Sequence, residues 1–415
     1  MDMAARRQYF EILQEKYHKS KKREEKTAIL NEYCKNTKQN RKYVIQKFNC
    51  FLAPPHSRKK RPKFYDFRVI SALHTMWEIF DCPCGQRLKS SLEKETDRMK
   101  AFGELKISEA TVEKLKKISS ATIDRKLKFW KNRLTKGYVS NKNNNNLLSQ
   151  KIKTKTHYQQ DRNNPGLWQV DIVENCGASA TGTYVCTVDF TNLATGWTET
   201  EGIMGKGQTN ALEAFKNIRR RSPIEIAEIH PDNDGSFINW HLVKYCENEG
   251  IAFSRSRRYK KNDNAYVEQK NYTHVRKVFG HIRYDTQEEL DIINDLDHNE
   301  LRLYKNFFQP VMFLKEKKRV KSKVIRRYDK QKTPFERTLE LPDVPTEIKQ
   351  ELRRTYQTLN PAEVKRRITK KIRLLFKVHQ TKKKKFNPAF DKILAPTMKN
   401  LGKVLYDLTG SHWVR

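Results

Sequence analysis

The sequence predicts an α/β core, a five-stranded mixed sheet with helices on both faces, joined to an all-α N-terminal part and a basic C-terminal region. Strand-like apolar runs alternate with helical periodicity in the middle of the chain, whereas the first third shows helical periodicity alone. Charge follows the same division, because the net charge is +22 over residues 1–164, −6 over 165–300 and +21 over 301–415. An overall excess of 37 positive charges favours a polyanionic partner, above all nucleic acid. Solvated basic surface is the alternative interpretation of the two flanks.

Residues 6–50 predict three short helices. A polar break at 36–40 separates the second helix from a third whose first turn carries Arg41 and Lys42. A helix, a short turn and a second helix with basic residues at its start are typical of the helix-turn-helix motif. We therefore predict DNA contacts at Arg41 and Lys42.

A second helix-turn-helix candidate lies at 109–134. Ser119 and Ser120 can cap a helix that directs Arg125 and Lys126 outward, towards a DNA backbone. Helical bundles without a DNA-binding role also show such apolar stripes, so this alternative remains open for both candidates.

From Gly166 the predicted order of elements is β-β-β-α-β-α-β-α. This order indicates a three-stranded meander that is extended by parallel strands. The predicted strands are 167–173, 183–190, 195–200, 224–230 and 251–254, and the predicted helices are 208–221, 237–249 and 263–279.

Three carboxylates occupy positions of interest in this block. Asp171 lies within the first strand, and Asp232 follows the fourth strand, where open α/β sheets bind ligands. Glu268 is on the last helix, in line with Tyr272 and two apolar residues, a stripe that should face the sheet. A buried carboxylate is costly unless it is paired or bound to a metal. A capped turn or a salt-bridged core acid is the alternative for each; three acids together favour a metal site.

Three segments resemble insertion-sequence transposases of the retroviral-integrase superfamily, which have an RNase H-like core and an Asp-Asp-Glu triad. These are LWQVDIVENCG around Asp171, EIHPDNDGSFIN around Asp232 and FSRSRRYKKNDNAYVEQKNYTHVRK around Glu268. Thirty-five residues separate Asp232 from Glu268, which is the spacing of that family. The sequence departs from that family at one position. A glycine usually follows the Asp-Asn pair, whereas here Asp234 stands between Asn233 and Gly235. The spacing selects Asp232 as the ligand and leaves Asp234 to cap a helix that begins near Phe237.

The resemblance implies that Asp171, Asp232 and Glu268 hold two Mg²⁺ ions, for which Mn²⁺ can substitute, roughly 3.5–4 Å apart. It also implies DNA cleavage and strand transfer at the ends of a mobile element. The partners would be double-stranded DNA, as terminal repeats and target, and further copies of this chain; no membrane and no small-molecule substrate are expected. The N-terminus lacks a signal-peptide pattern, so we expect a cytoplasmic, nucleoid-associated protein.

The loop before Glu268 is strongly basic, and it would hold DNA phosphates near the metal ions, unless it is simply an exposed charged turn. Its predicted DNA-binding residues are Arg257, Arg258, Lys260 and Lys261. Lys270, on the following helix, either adds a phosphate contact or is solvated.

These features predict six segments. They are helix-turn-helix domains at 1–53 and 66–136, linkers at 54–65 and 137–165, the catalytic core at 166–300 and a basic DNA-binding or assembly region at 301–415.

The sequence leaves two further functions open. One is an RNase H-like nuclease without strand transfer, and the other is a sequence-specific DNA-binding regulator with a degenerate core.

Overall fold

The computed structural model describes residues 3–50, 64–132, 154–156, 159–257, 261–320 and 322–386. The chain divides into two compact units, Met1–Phe64 and Tyr65–Arg415. The segments predicted as separate domains at 66–136, 166–300 and 301–415 are thus parts of one unit. Among the described helices, none is both long and apolar enough to cross a membrane.

The first unit contains the three predicted helices, which are α1 (Met3–Lys19), α2 (Arg23–Thr37) and α3 (Arg41–Asn49). Tyr33 and Phe48 are fully buried between them and pack edge to face with ring centroids 5.2 Å apart. The side chain of Asn40 caps α3 by accepting the amide hydrogen of Lys42. The helices are confirmed, while the helix-turn-helix assignment stays a prediction.

The second unit begins with four helices, which precede the sheet. Ser119 caps the last of them, as predicted, by accepting the amide hydrogen of Thr122. They are α4 (Phe67–Ile79), α5 (Gly85–Ala101), α6 (Glu109–Lys117) and α7 (Ser120–Lys131).

The sheet has five strands in the order β3-β2-β1-β4-β5. The first three strands are antiparallel to one another, and β4 and β5 run parallel to β1. This mixed sheet with the RNase H-like strand order confirms the predicted fold class. The strands are β1 (Leu167–Glu174), β2 (Val185–Asn192), β3 (Thr198–Met204), β4 (Glu228–Pro231) and β5 (Ala252–Phe253).

Helices cover both faces of this sheet, as predicted. On one face α8 (Gln208–Arg221) packs Phe215 against Phe190 of β2, and α9 (Trp240–Asn248) follows β4. On the other face α12 (Gln287–Asp295) lies directly on β3, where a Cβ at Gly202 would stand 2.8 Å from the Asn294 amide oxygen.

The predicted helix 263–279 is continuous but irregular and also lies on this second face. A 3₁₀ turn (Lys261–Asn264) leads into α10 (Ala265–Lys270), which is followed by a π-helical segment (Asn271–Arg276) and α11 (Lys277–Phe279). A second π-helical segment (Leu296–Leu301) joins α12 to α13 (Arg302–Phe308).

The C-terminal part adds an antiparallel two-stranded ribbon and three helices. The ribbon strands are β6 (Leu314–Val320) and β7 (Lys323–Tyr328), and the helices are α14 (Pro334–Glu340), α15 (Thr346–Thr358) and α16 (Pro361–Phe386).

Asp81, in the α4–α5 turn, ties four parts of the second unit together. Its carboxylate lies 2.8 Å from Lys277 Nζ of α11, 3.5 Å from Lys305 Nζ of α13 and 3.3 Å from Lys365 Nζ of α16. Burial opposes its ionisation, but the three lysine charges outweigh burial and hold the pKa of Asp81 well below its ordinary value. The backbone of Asp81 has a φ of 68°, a conformation that Asp and Asn tolerate best among non-glycine residues.

We predict that Asp81→Asn lowers the free energy of unfolding by about 3 kcal/mol, because it leaves buried lysines without their counter-charge. Asparagine keeps the shape and the backbone preference of aspartate. Denaturant unfolding of the full chain measures the loss. Asp343→Asn, at an exposed position, is the matched control and should change stability by less than about 0.5 kcal/mol. Equal small effects would contradict the proposed tie.

Candidate active site

Asp171, within β1, and Asp232, directly after β4, lie side by side. The two strands are parallel, with Gln169 paired to His230. Asp171 and Asp232 each follow one of these partners by two residues, so alternation places both on the same face. The structure therefore brings together two of the three predicted ligands.

These two carboxylates are half-buried and repel each other. Burial, and then the negative charge of Asp232, raise the pKa of Asp171 well above its ordinary value. Burial also raises the pKa of Asp232 to about 6. Within the described residues neither carboxylate takes part in an ion pair, so the pair is short of positive charge.

Hydrogen bonds nevertheless fix the orientation of both groups. Asp171 accepts the Ile172 amide hydrogen at 2.8 Å, and its other oxygen accepts Asn271 Nδ2 at 2.6 Å. Asp232 Oδ1 accepts the amide hydrogen of Asp234 at 2.8 Å. The two carboxylates are thus positioned by neutral donors, and the charge of Lys206 only partly offsets the effect of burial at Asp232.

Asp234 has a different environment. Its Oδ2 pairs with Lys206 Nζ at 2.8 Å, and its Oδ1 accepts the Ser236 amide hydrogen at 2.9 Å. Burial opposes ionisation of Asp234, but the Lys206 charge and hydrogen bond lower its pKa below the ordinary value. Asp234 holds a turn rather than capping a helix near Phe237, because α9 begins only at Trp240.

The prediction that Glu268 faces the sheet is wrong, because its side chain is exposed, as is that of Tyr272. The π-helical segment after α10 inserts an extra residue per turn, so the stripe that begins with buried Phe279 and Val275 continues to Lys270 instead. Across the described ranges no three His, Cys, Asp or Glu side chains group closely enough to hold a metal. Glu268 is therefore not brought together with Asp171 and Asp232.

Sequence reasoning missed Asp189, a fully buried residue that pairs with Asp171 in the β1–β2 register. Burial raises the pKa of Asp189 to about 7, against the hydrogen bond from Thr191 and the charge of Lys270. Pairing the two predicted strands would have revealed it, because directly opposed residues share a face.

Lys270 does not reach solvent to contact a phosphate as predicted. Its side chain is buried on the sheet side of α10, because the π-helical segment rotates it into the buried stripe. Burial lowers the pKa of Lys270 to about 7, and the charge of Asp189 counteracts the shift.

Gln169 and Asp263 connect the sheet to the start of α10. Gln169 Oε1 accepts the amide hydrogens of Tyr266 and Val267, both at 3.1 Å, and its amide donates to the carbonyl of Asp263. Gln160, from the predicted polar linker, is buried against both residues. This network fixes the helix that carries Asn271 and Glu268.

The remaining predicted DNA-binding residues have varied environments. The guanidinium of Arg257 forms a two-pronged contact with buried Asp263, at 2.9 and 3.0 Å. Arg41, Lys42 and Arg125 are exposed, and Lys126 is half-buried. Arg258 and Lys260 lie outside the described residues, as does the side chain of Lys261.

Comparisons with known proteins give a relative by sequence and, among solved structures, similar folds. The chain is 31% identical over 337 residues to the uncharacterized protein y4rM of Sinorhizobium fredii (strain NBRC 101917 / NGR234), covering 81% of this chain and 96% of that protein. The catalytic core domain of BIV integrase matches 42% of this chain and 95% of its own, at 15% identity and a TM-score of 0.29. The HTLV-2 integrase catalytic core in complex with magnesium matches 35% and 90%, at 16% identity and a TM-score of 0.26. No protein-family model matches.

We predict opposite effects on stability from two neighbouring substitutions, measured by thermal and denaturant unfolding in EDTA. The folded pKa of Asp232 is raised to about 6, so wild-type stability falls as the pH rises from about 4 to about 6. Asp232→Asn removes that loss and should stabilise the chain by about 2–3 kcal/mol at pH 7, but not at pH 4. Asp234→Asn should destabilise it at pH 7, because it breaks the ion pair with Lys206. Equal losses in both variants would show that Asp232 is not an unpaired, half-buried carboxylate.

Proposed function

For this chain, which belongs to the same family as protein y4rM of Sinorhizobium fredii, we propose the function of a DDE transposase. It would bind the ends of its mobile element and catalyse metal-dependent DNA cleavage and strand transfer. The observation that carries the proposal is the half-buried carboxylate pair of Asp171, within β1, and Asp232, directly after the parallel strand β4 of an RNase H-like sheet.

The pair suits a divalent cation. Two half-buried carboxylates that repel each other are stabilised by a cation between them, and hard oxygen ligands favour Mg²⁺ or Mn²⁺. When bound, Mg²⁺ would supply Lewis acidity to a phosphodiester. Asp171 and Asp232 would hold it, and we include Glu268 as the third carboxylate of the site.

The side chains of the chain itself would orient these ligands. Asn271 and the Ile172 amide hold Asp171, and the Asp234 amide holds Asp232. Glu268 lies three residues before Asn271 on the same helix, so the two positions share a helix face. In this structure Asn271, rather than Glu268, contacts Asp171.

Basic regions outside the sheet would bind the DNA. Net charges of +22 and +21 flank a core block of −6, so phosphates would be attracted to the flanks. Cleavage of two element ends in one reaction requires more than one active site, and we propose that the chain acts as a homo-oligomer on double-stranded DNA.

The exposed position of Glu268 favours one alternative, a DNA-binding regulator with a degenerate core. Such a protein would bind DNA normally but would not cleave it with any divalent metal.

We predict that the full chain nicks element-end DNA with Mg²⁺ or Mn²⁺ and transfers the cut strand, and that EDTA abolishes both activities. Asp171→Asn and Asp232→Asn should lower nicking by more than about 100-fold while DNA binding survives, because they remove proposed metal ligands. Glu268→Gln should have the same effect. Asp234→Asn is the control and should leave measurable nicking below its unfolding temperature. Activity that persists in excess EDTA would contradict the mechanism, and intact binding without nicking would favour the regulator.

We also predict that the start of α3 contacts DNA. Arg41→Ala with Lys42→Ala should weaken binding to element-end duplex and lower the salt slope of log K by about 1.8, or about 0.9 per phosphate contact. Lys21→Ala with Lys22→Ala removes the same charge from the same unit at two other exposed residues. Electrophoretic or fluorescence titrations over a range of salt would compare the two variants. Equal losses would indicate diffuse attraction rather than a DNA-binding helix.

A further inference from the structure

The β6–β7 ribbon is exposed along its whole described length. Every residue of Leu314–Val320 and Lys323–Tyr328 has an exposed side chain, so neither face of the ribbon is buried within the described chain. A two-stranded ribbon on its own is at best marginally stable in water. A ribbon that contributes no core residues is better explained by a partner than by packing.

The base of the ribbon is firmly anchored. Phe313 and Asp329, the residues that flank it, exchange hydrogen bonds, with the Asp329 carboxylate accepting the Phe313 amide hydrogen at 2.7 Å. Arg337 of α14 pairs with Asp329 at 2.7 Å and stacks on the ring of Phe313. The ribbon therefore leaves the second unit at a defined point.

The charge of the ribbon identifies the class of partner. Residues 314–328 contain eight basic side chains and a single acidic one, Glu316, which pairs with Arg327 at 3.4 Å. Exposed lysines along both strands disfavour the addition of a further protein strand at either edge. Phosphate-rich nucleic acid is the complementary partner.

The two faces of the ribbon differ. The register pairs Lys317 with Arg326 and Arg319 with Val324, and a bulge between Leu314 and Glu316 shifts the pairing at the base. Alternation then divides the side chains, apart from that of Lys315 in the bulge, into two sets. One set, which we call the Lys317 face, contains no acid; it comprises Leu314, Lys317, Arg319, Val324, Arg326 and Tyr328. The opposite face carries the Glu316–Arg327 pair together with Lys318, Val320, Lys323 and Ile325.

We propose that the Lys317 face lies in the major groove of duplex DNA. The groove is about 12 Å wide and admits a two-stranded ribbon, whose strands are about 4.8 Å apart. Lys317, Arg319 and Arg326 supply donors for phosphates and guanine edges, and Tyr328 and Val324 supply apolar contacts for thymine methyl groups. A-form RNA is excluded by the same geometry, because its major groove is deep and narrow. The proposal rests on the proposed function only in taking DNA as the partner.

The test measures binding of the full chain to duplex DNA in EDTA, so that catalysis plays no part. Lys317→Ala with Arg326→Ala should weaken binding at least 10-fold and lower the salt slope by about 1.8. Lys318→Ala with Lys323→Ala removes the same charge from the opposite face and should weaken binding less than 3-fold. All four positions are exposed, so thermal unfolding of both variants should match that of wild type.

A second arm tests the groove. A duplex whose major groove is filled with glucosylated 5-hydroxymethylcytosine should bind wild type at least 10-fold more weakly, and the Lys317/Arg326 variant with little further loss. Equal losses in the two charge variants would overturn the proposal in favour of diffuse attraction. If the Lys317/Arg326 variant lost affinity only for double-stranded RNA, or lost no affinity at all, the proposal would be overturned in favour of another partner. If the full chain fails to nick DNA while the two charge variants still differ in DNA binding as expected, only the proposed function is overturned.

Discussion

The site is organised around the repulsion between Asp171 and Asp232. Among the described residues, Lys206 pairs with Asp234 and Glu174 and Arg257 pairs with Asp263, while the charge of Asp189 acts on buried Lys270. Neutral donors orient the pair itself, and neither carboxylate has an ion-pair partner within the described chain. A lysine paired with Asp171 would stabilise the fold, because it would offset the repulsion between the two carboxylates. The described ion pairs of Lys206 and Arg257 therefore stabilise neighbouring carboxylates, while Asp171 and Asp232 form none among the described residues.

The helix over this pair has an irregularity with direct consequences for the site. A regular α-helix from 263 to 279 would place Glu268 on the buried stripe with Val275 and Phe279. The π-helical segment Asn271–Arg276 shifts that stripe, so that Lys270 is buried and Asn271 contacts Asp171. π-Helical segments cost stability and are frequent at functional sites. Glu268 and Asn271 share a face of this helix. The winding of the π-helical segment therefore determines how that face is directed towards Asp171.

Much of the fold was predictable, because the sheet and its helices follow from periodicity of 2 and 3.6 residues. The errors are local and have identifiable causes. The third strand begins at Thr198 rather than at 195, because Asn192 accepts hydrogen bonds from Thr195 and Gly196 has a φ of 75°, which makes a turn. Asp171 followed from its place within a predicted strand and Asp232 from a predicted strand end. The burial of Asp189, by contrast, requires the β1–β2 register, and the exposure of Glu268 requires the π-helical segment. A periodicity that assumes regular helices and unpaired strands predicts neither the burial of Asp189 nor the exposure of Glu268.

The separation of charge along the chain follows from the needs of such a site. DNA binding requires many lysines and arginines, yet the same residues near Asp171 and Asp232 would neutralise them and displace a metal ion. With the proposed function, the chain would meet both requirements by concentrating positive charge before residue 165 and after residue 300, with a net −6 between. The ribbon is the clearest example of this separation of charge. It lies outside the five-stranded sheet and carries its basic residues on a projection anchored by Phe313 and Asp329. Phosphates held there would contribute affinity without lowering the negative potential that attracts a divalent cation to the site.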